Sequence, residues 1–381
     1  MTAGLEIQFC PRISDIPEAS WNELSGAAGP FLRHAFLKAL EDSGSVSTDT
    51  GWTPHHLMCT RHNTPVAVMP LYIKTHSYGE YVFDWSWADA YYRAGLSYYP
   101  KFLTAIPFTP SVSARVLIAP SEHDAPIYRA ISDAVMAEAH RVGASSWHVL
   151  FPPREQSEKL VGLGLMQRQG TQFQWFNRGY RDFQHYLEQF SSRKRKNVNK
   201  EREAIRHAGI TFEHLTGHDI DDGTWARFFA FYQNTYHVRG QQGYLEESFF
   251  HQLGETMPES LFLVQARLHG KVIAAALSFQ DKEALYGRYW GYCENYDSLH
   301  FETCYYQGID HCIAKGLARF DSGAQGEHKI ARGFEPIDTY SAHWLANPEF
   351  ARAVKDFLRR ETSHVEQYRH DAALLLPFKR Q

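Results

Sequence analysis

The sequence has few cysteines, no long apolar run and little net charge. Its five cysteines in 381 residues form no Cys-x-x-Cys pair, which argues against a disulfide framework and favours a reducing compartment. The longest apolar run, Val272–Phe279, has strand length and is far too short for a transmembrane segment. The N-terminus lacks a basic segment followed by an apolar run, so no signal peptide is expected. Together these absences predict a cytoplasmic protein.

Two further classes of protein are disfavoured. The formal net charge of −4 gives no overall field that would attract nucleic acid. The one local basic segment has no second recognition helix or zinc-ligand spacing beside it, so sequence-specific DNA binding is not expected. Histidine is abundant, at 21 residues, but no His-Glu-x-x-His motif or paired Cys/His spacing occurs. The sequence therefore predicts no metal site and no tightly bound cofactor.

The length and an internal repeat together predict two domains. A chain of 381 residues is too long for one ordinary core. Two regions share an order of hairpin, strand, helix and strand, with hairpin turns expected at His62-Asn63 and at His269-Gly270. This duplication predicts an N-terminal α/β domain over residues 1–180 and a C-terminal one over residues 181–381. A C-terminal helix is expected at about 348–369, after the helix-starting pair Asn347-Pro348.

In the first copy, HSYGEYVFDWSWADAYYRAG is dense in aromatic and acidic residues. Alternation predicts a strand in which Tyr81, Phe83, Trp85 and Trp87 share one face. The opposite face would then hold Glu80 and Asp84, and two neighbouring carboxylates could receive an acceptor ammonium or take its proton. The alternative is that the aromatic residues simply form the core of a twisted sheet.

Between the copies lies SSRKRKNVNKEREAIRHAG, which predicts a basic helix over residues 191–209. Seven cations, from Arg193 to Arg206, oppose only Glu201 and Glu203. The functional interpretation is a seat for the phosphates of a polyanion, because guanidinium groups bind phosphate in a bidentate manner. The alternative is an ordinary solvated charged face.

Near the end of the second copy, FDSGAQGEHKIARGFEP combines four glycines with a cluster of ionisable side chains. The segment follows a predicted strand, and ligands in such sheets tend to lie beyond the carboxyl ends of strands. Glu327 or His328 could accept a proton, while Lys329 and Arg332 could bind phosphate or an oxyanion. A plain exposed loop is the alternative.

Three stretches carry a family resemblance: SSRKRKNVNKEREAIRHAGITFE, then FYQNTYHVRG followed by YLEESFFHQL and LFLVQARLHGKVIAAALSF, and finally FDSGAQGEHKIARGFEP. The chain resembles the Fem-type aminoacyl transferases of peptidoglycan synthesis. It is similar above all to the FemAB-like predicted N-acyltransferases, through HSYGEYVFDWSWADAYYRAG. The resemblance covers nearly the whole chain. It implies an α/β fold of tandem GNAT-like domains, each a mixed, mostly antiparallel twisted sheet flanked by helices.

The resemblance also implies a reaction, acyl or aminoacyl transfer to a small-molecule amine acceptor. RYWGY would lie where GNAT-like folds splay two strands to admit the donor, and strand N–H groups there would bind the donor and the tetrahedral oxyanion. The donor candidates are therefore Arg193, Arg195, Lys196, Arg288, Tyr289, Trp290 and Gly291. The catalytic candidates are Glu327, His328, Lys329 and Asp84. The acceptor candidates are Tyr78, Glu80, Trp85, Trp87, Asp321 and Arg332.

The sequence departs from these families in two ways. It lacks the Gln/Arg-x-x-Gly-x-Gly/Ala loop with which classical GNAT enzymes hold the pyrophosphate of CoA. It also lacks the long helical arm of some Fem enzymes. The co-substrate is therefore either acyl-CoA, in an N-acyltransferase, or aminoacyl-tRNA, in a transferase acting on a peptidoglycan precursor. A catalytically inactive GNAT-like module that binds a ligand or partner is the non-enzymatic alternative.

Overall fold

A computed structural model describes residues 4–324 and 326–379. Their contacts divide the chain into two compact units. The first unit comprises residues 4–170 and Asp338–Gln367, and the second comprises Thr171–Ile337 and residues 368–379. The sequence predicts one boundary after residue 180, whereas the chain passes between the units at three places. The two units are therefore built from interleaved segments.

The described residues form both strands and helices. The strands are β1 (Leu5–Cys10), β2 (Trp52–Pro54), β3 (His56–Arg61), β4 (Thr64–Met69), β5 (Tyr72–Lys74), β6 (Lys101–Thr104), β7 (Leu117–Ile118), β8 (Ser146–Leu150), β9 (Met166–Phe176), β10 (Ile210–Thr216), β11 (Leu261–Leu268), β12 (Lys271–Gln280), β13 (Ala284–Tyr292), β14 (Arg319–Asp321) and β15 (Glu335–Leu345). The helices are α1 (Glu18–Ser25), α2 (His34–Asp42), α3 (Trp85–Arg93), α4 (Asp124–Val142), α5 (Arg154–Val161), α6 (Phe183–Glu188), α7 (Ser192–His207), α8 (Asp222–His237), α9 (Glu247–Thr256), α10 (Leu299–Phe301), α11 (Gln307–Lys315) and α12 (Pro348–Leu374). A π-helical turn, Glu302–Tyr306, joins α10 to α11.

The first unit contains two sheets. One has the antiparallel order β1-β3-β4-β7, and in the other β15, β8, β6, β5 and β2 follow one another with only β6 and β8 parallel. Helix α4 buries Ile127, Ile131 and Val135 against the core of this unit, as their spacing predicts. The helix ends at Gly143, whose φ of 70° suits glycine at this position.

In the second unit, the order is β10-β11-β12-β13-β14-β9, with β13 and β14 parallel and the other pairs antiparallel. Its hairpin β11–β12 turns at His269-Gly270, where both φ angles are positive, as the tight hairpin turn requires. The β3–β4 hairpin of the first unit turns in the same way at His62-Asn63. Both predicted hairpins are confirmed, as is the α/β class with mostly antiparallel sheets flanked by helices.

The predicted strand over Tyr81–Trp87 is wrong. Trp85–Arg93 forms helix α3 instead, after a turn in which Tyr81 has a φ of 62°. The side chains of Trp87 and Tyr91, one helical turn apart, pack with Val354 and Leu358 of α12. The spacing of Trp87 and Tyr91 therefore follows the helical period. The alternation of aromatic residues up to Trp87 does not reflect strand structure.

Neither a membrane-spanning helix nor a metal-binding cluster occurs among the described residues. Across residues 4–324 and 326–379, no helix combines the length and the apolar character needed to cross a membrane. Over the same ranges, no group of three or more His, Cys, Asp or Glu side chains is arranged to hold a metal ion.

Candidate functional site

The central feature of the second unit is a fork between β13 and β14. The two parallel strands pair over only three positions, ending at Tyr286 opposite Asp321. Beyond this point β14 stops, while β13 continues to Tyr292. RYWGY, residues 288–292, therefore lies on the part of β13 that β14 does not pair, which is where the resemblance implies an opening between strands.

A buried ion pair lies at the point where the strands part. The register between β12 and β13 shifts at a β-bulge, and Arg288 is the extra residue of this bulge. Bulges often occur beside active sites. Its guanidinium donates to both carboxylate oxygens of Asp321, at 3.3 and 3.0 Å, and both side chains are at most 2% exposed. Burial alone would raise the pKa of Asp321, but Arg288 and the Gly323 N–H outweigh it and lower that pKa.

Helix α8 covers the continuing part of β13. A side chain at Gly291 would overlap the backbone of Phe231, so the helix can approach this closely only because residue 291 is glycine. The side chains of Thr235 and Asn234 donate to the carbonyls of Trp290 and Tyr292, at 2.9 and 2.8 Å. Tyr289 is buried, and the Arg288 side chain is occupied by Asp321. Among the donor candidates 288–291, the backbone and Trp290 therefore remain for a donor contact.

The glycine-rich segment forms a short 3-10 helix, Glu327–Arg332, that presents His328. Nε2 of the exposed His328 shares a 2.8 Å hydrogen bond with the Tyr305 hydroxyl of the π-helical turn. A side chain at residue 326 would overlap the imidazole, so Gly326, with a φ of 113°, is needed for this placement. Part of the imidazole is nevertheless buried, and this partial burial, followed by the nearby Lys329 and Arg332 cations, lowers the pKa of His328 and favours its neutral form.

Lys329 follows His328 and is buried. Its side chain is hydrogen-bonded to the two residues that follow β14. Its ammonium donates to the carbonyls of Ser322 and Gly323, at 2.9 and 2.8 Å. Burial lowers the pKa of Lys329 to about 8, although Asp321 opposes this shift. An ammonium has three N–H donors, so one remains for a ligand beyond these two carbonyls.

The other two ionisable residues of the segment are already engaged. Glu327 is exposed and accepts a hydrogen bond from Tyr368 at 2.9 Å. Arg332 is buried over the Phe301 ring and donates to both carboxylate oxygens of Glu201, at 2.8 and 2.9 Å. Arg332 therefore anchors the segment to α7, and its charge is already balanced by a carboxylate.

The predicted basic helix is α7, and its cations fall into two groups. Arg202 donates to Glu302 and Asp310, and Arg206 lies 3.9 Å from Glu203. The remaining five cations have no ion-pair partner among residues 4–324 and 326–379: Arg193, Lys194, Arg195, Lys196 and Lys200. Four of them occupy the first turns of the helix, where the helix dipole is also positive and favours an anion.

In the first unit, Glu80 and Asp84 lie together as predicted, but they hold an internal cation. The ammonium of Lys101 donates to both carboxylates and to Ser77, and all three charged side chains are buried. Burial raises the pKa of Glu80 to about 7 against the opposing effect of Lys101. For Asp84, Lys101 outweighs burial, and the pKa lies well below its ordinary value. Asp84 is therefore a weak base, and Lys101 takes the place an acceptor ammonium would need.

A chain of hydrogen bonds leads away from Asp84. The Tyr98 hydroxyl donates to Asp84 at 2.7 Å, and Nε2 of His148 lies 3.1 Å from the Tyr98 hydroxyl and 2.8 Å from that of Ser146. Nδ1 of His148 shares a 2.7 Å hydrogen bond with Nδ1 of His343, and Nε2 of His343 shares one of 2.8 Å with the Ser341 hydroxyl.

Sequence reasoning missed this chain, together with the buried lysines at facing positions of β5 and β6, Lys74 and Lys101. The sequence did contain a sign of these buried lysines, because each is a terminal residue of a short apolar strand. Lysine is the last residue of LYIK and the first residue of KFLT. The other acceptor candidates of the first unit differ in their exposure to solvent. Tyr78 and Trp85 are exposed and in contact, whereas Trp87 is 4% exposed and packs against His343.

Comparison with known proteins decides the family. The FemAB-like family profile, described as peptidoglycan biosynthesis/recognition, matches residues 12–380. The chain belongs to the FemAB-like family. Family membership supports the class of acyl or aminoacyl transferases and leaves the donor and acceptor open. No curated protein matches the sequence.

Solved structures with low sequence identity share the fold of this FemAB-like protein. FemX is 12% identical, with 92% of this chain and 100% of that chain covered at a TM-score of 0.54. The C-terminal domain of a putative lysylphosphatidylglycerol synthetase from Agrobacterium fabrum is 9% identical, with 89% and 94% covered at 0.54. L-PGS from Bacillus licheniformis is 10% identical, with 85% and 95% covered at 0.50. The chain thus shares the fold of FemX, as the resemblance to the Fem-type transferases implies.

Proposed function

We propose that this FemAB-like protein is an N-acyltransferase whose reaction takes place at the β13–β14 fork of the second unit. The observation that carries the proposal is the placement of His328 beside this fork. Trp290 of β13 contacts His300, and His300 contacts both His328 and Tyr305, so a continuous set of rings leads from the strand to the imidazole. A neutral, exposed imidazole is a suitable base for an amine acceptor.

The reaction begins with transfer of a proton from the acceptor ammonium to Nδ1 of His328. Nε2–H of the resulting imidazolium donates to the Tyr305 oxygen, which holds the ring in place. The amine lone pair attacks the carbonyl carbon of the donor, and the new C–N bond leaves negative charge on the carbonyl oxygen. The remaining N–H of Lys329 stabilises this oxyanion. Collapse expels the donor's thiolate or alkoxide, which takes up the proton lost from the amide nitrogen, and His328 releases the first proton to solvent.

The free cations of α7 support an anionic donor. Glu201 of α7 binds Arg332, and Lys196 precedes Glu201 by five residues, or about 8 Å along a helix. Arg193, Arg195 and Lys196 therefore lie within a few helical turns of the proposed reaction site. The phosphates of acyl-CoA or of an aminoacyl-tRNA acceptor stem both fit this charge. We place the reaction in the cytoplasm, where both donors occur.

A donor panel tests the proposal. The full chain is incubated with acetyl-CoA, longer acyl-CoA thioesters or aminoacyl-tRNA, together with a panel of primary amines, and amide products are measured by mass spectrometry. We expect amide formation from one donor class. An aminoacyl-tRNA donor should bind far more weakly at high salt, because several phosphates are neutralised together. Ligand-induced stabilisation with no product from any donor would support an inactive binding module and contradict the enzyme.

A further inference from the structure

The carboxylate of Glu201 joins three elements of the second unit. Glu201 lies on α7, and Nη2 of Arg332 in the 3-10 helix donates to both of its oxygens, at 2.8 and 2.9 Å. The Tyr306 hydroxyl of the π-helical turn donates to one of the same oxygens. The Arg332 side chain is 6% exposed and that of Glu201 is 25% exposed, so salt screens this ion pair only weakly. The sequence shows Glu201 only as one of two acids that oppose the basic helix, whereas the fold makes it the junction of three elements.

Both attachments of His328 lead back to this carboxylate. Nη1 of Arg332 donates to the His328 carbonyl at 2.8 Å, which fixes the backbone at His328. The imidazole is held by the Tyr305 hydroxyl, and Tyr305 directly precedes Tyr306 in the π-helical turn. Glu201 therefore binds the guanidinium that holds the backbone of His328 and also the turn that holds its ring.

Arg332 depends on Glu201 for its orientation. Its guanidinium lies over the Phe301 ring, 3.4 Å from the centroid. Stacking of this kind leaves the group free to turn in a plane parallel to the ring, whereas hydrogen bonds to a carboxylate fix its direction. Over residues 4–324 and 326–379, Glu201 is the only carboxylate that pairs with Arg332. Without Glu201, Nη1 would no longer be held towards the His328 carbonyl.

We propose that Glu201 is a positioning residue for acyl transfer, which holds His328 beside the β13–β14 fork through Arg332 and the π-helical turn. This inference rests on the proposed function, in which His328 is the base. Glu201 acts through these neighbours, because its oxygens already accept three hydrogen bonds within the protein. The free cations of α7 lie on the same helix, so one rigid element carries the cations proposed to bind the donor and also fixes the base.

A split between kcat and KM tests the proposal, with the donor and acceptor that the donor panel identifies. Glu201→Gln should lower kcat about tenfold or more, because misplacing a reacting group by about 1 Å can cost about 100-fold. The donor KM should not rise, since the cations of α7 remain. Glu203→Gln, a matched change at an exposed position of α7, should alter neither value. An unchanged kcat, with or without a raised donor KM, would overturn the proposal.

A double variant separates positioning from stability. Glu201→Gln leaves the buried Arg332 without its counter-charge, which is destabilising in itself. Glu201→Gln combined with Arg332→Met leaves no charge to be buried, so urea unfolding should show that most of the stability returns. The kcat should stay low, because the His328 carbonyl has also lost its donor. If Glu201→Gln does not fold, the double variant decides. Recovery of kcat together with stability would show that Glu201 serves stability alone.

Hydrogen exchange gives a readout that needs no activity. Measured by mass spectrometry, the backbone of residues 327–334 should exchange about tenfold faster in the double variant than in Glu203→Gln, because its attachment to α7 is lost. Equal exchange in the two variants would refute the positioning of His328 by Glu201. A wild type that forms no product from any donor, together with the expected difference in exchange, would instead refute the proposed reaction and leave the anchoring of His328 in place.

Discussion

The hydroxyl of Tyr305 and Nε2 of His328 lie 2.8 Å apart, which fixes an exposed imidazole against a π-helical turn. Tyr305 is itself buried, and burial raises the pKa of its phenol, so it stays protonated throughout the neutral range. The glycine-rich segment of the sequence is therefore more than a mobile connection. It holds one ionisable ring in a fixed position beside the β13–β14 fork.

Gly326→Ala should impair catalysis while leaving the protein folded. The new methyl group would overlap the His328 ring, and a positive φ adds strain. We expect kcat/KM for acyl transfer to fall about 100-fold, the lower end of what a displaced general base costs. Gly316→Ala, also at positive φ but with open space around it, is the matched control. Equal losses in the two variants would show that strain alone, not displacement of His328, causes the effect.

Reversal of the free cations of α7 should weaken donor binding. The triple variant Arg193→Glu, Arg195→Glu and Lys196→Glu should raise the donor KM by orders of magnitude, because each lost charge-assisted contact costs about 1.5–3 kcal/mol. The melting temperature should hardly change, since exposed substitutions usually stay within about 0.5 kcal/mol. Arg352, Arg359 and Arg360, exposed on α12, provide the control triple reversal. An unchanged donor KM would mean that the cations of α7 are merely solvated.

Loss of Arg288 should destabilise the second unit. Arg288→Met leaves the buried Asp321 carboxylate without its counter-charge, and breaking such a pair costs about 3–5 kcal/mol. The double variant Arg288→Met with Asp321→Leu should recover most of this loss, because no charge remains to be buried. Urea unfolding followed by circular dichroism measures both variants. A double variant as unstable as the single one would contradict this explanation.

Lys74→Met should stabilise the protein more at pH 7 than at pH 10. Burial lowers the pKa of Lys74 to about 7, from 10.5 in an exposed lysine, so folding is penalised increasingly as the pH falls from 10.5 to 7. Methionine carries no such penalty. The difference in melting temperature between variant and wild type should therefore grow over this window, while Lys355→Met on the exposed face of α12 shows no such trend. A pH-independent difference would mean that Lys74 stays charged in the fold.

Local patterns in the sequence predict those elements whose stability is itself local. The His62-Asn63 and His269-Gly270 turns, the apolar face of α4 and the charged helix α7 all form as their residues indicate. YVFDWSW fails because Trp87 and Tyr91 gain more from packing against α12, far along the chain, than from strand pairing. Lys101 could not be predicted as the partner of Glu80 and Asp84, because only the folded sheet brings β6 to them.

His328 is proposed to take the proton of the acceptor, and this role should appear in the pH dependence of kcat/KM. The wild-type rate should fall on the acid side with an apparent pKa below 6.5, because burial and two neighbouring cations lower the pKa of this imidazole. His328→Gln should lose at least 100-fold in kcat/KM and also lose this acid limb. A His328→Gln variant with wild-type kcat/KM and an unchanged acid limb would show that His328 is not the base.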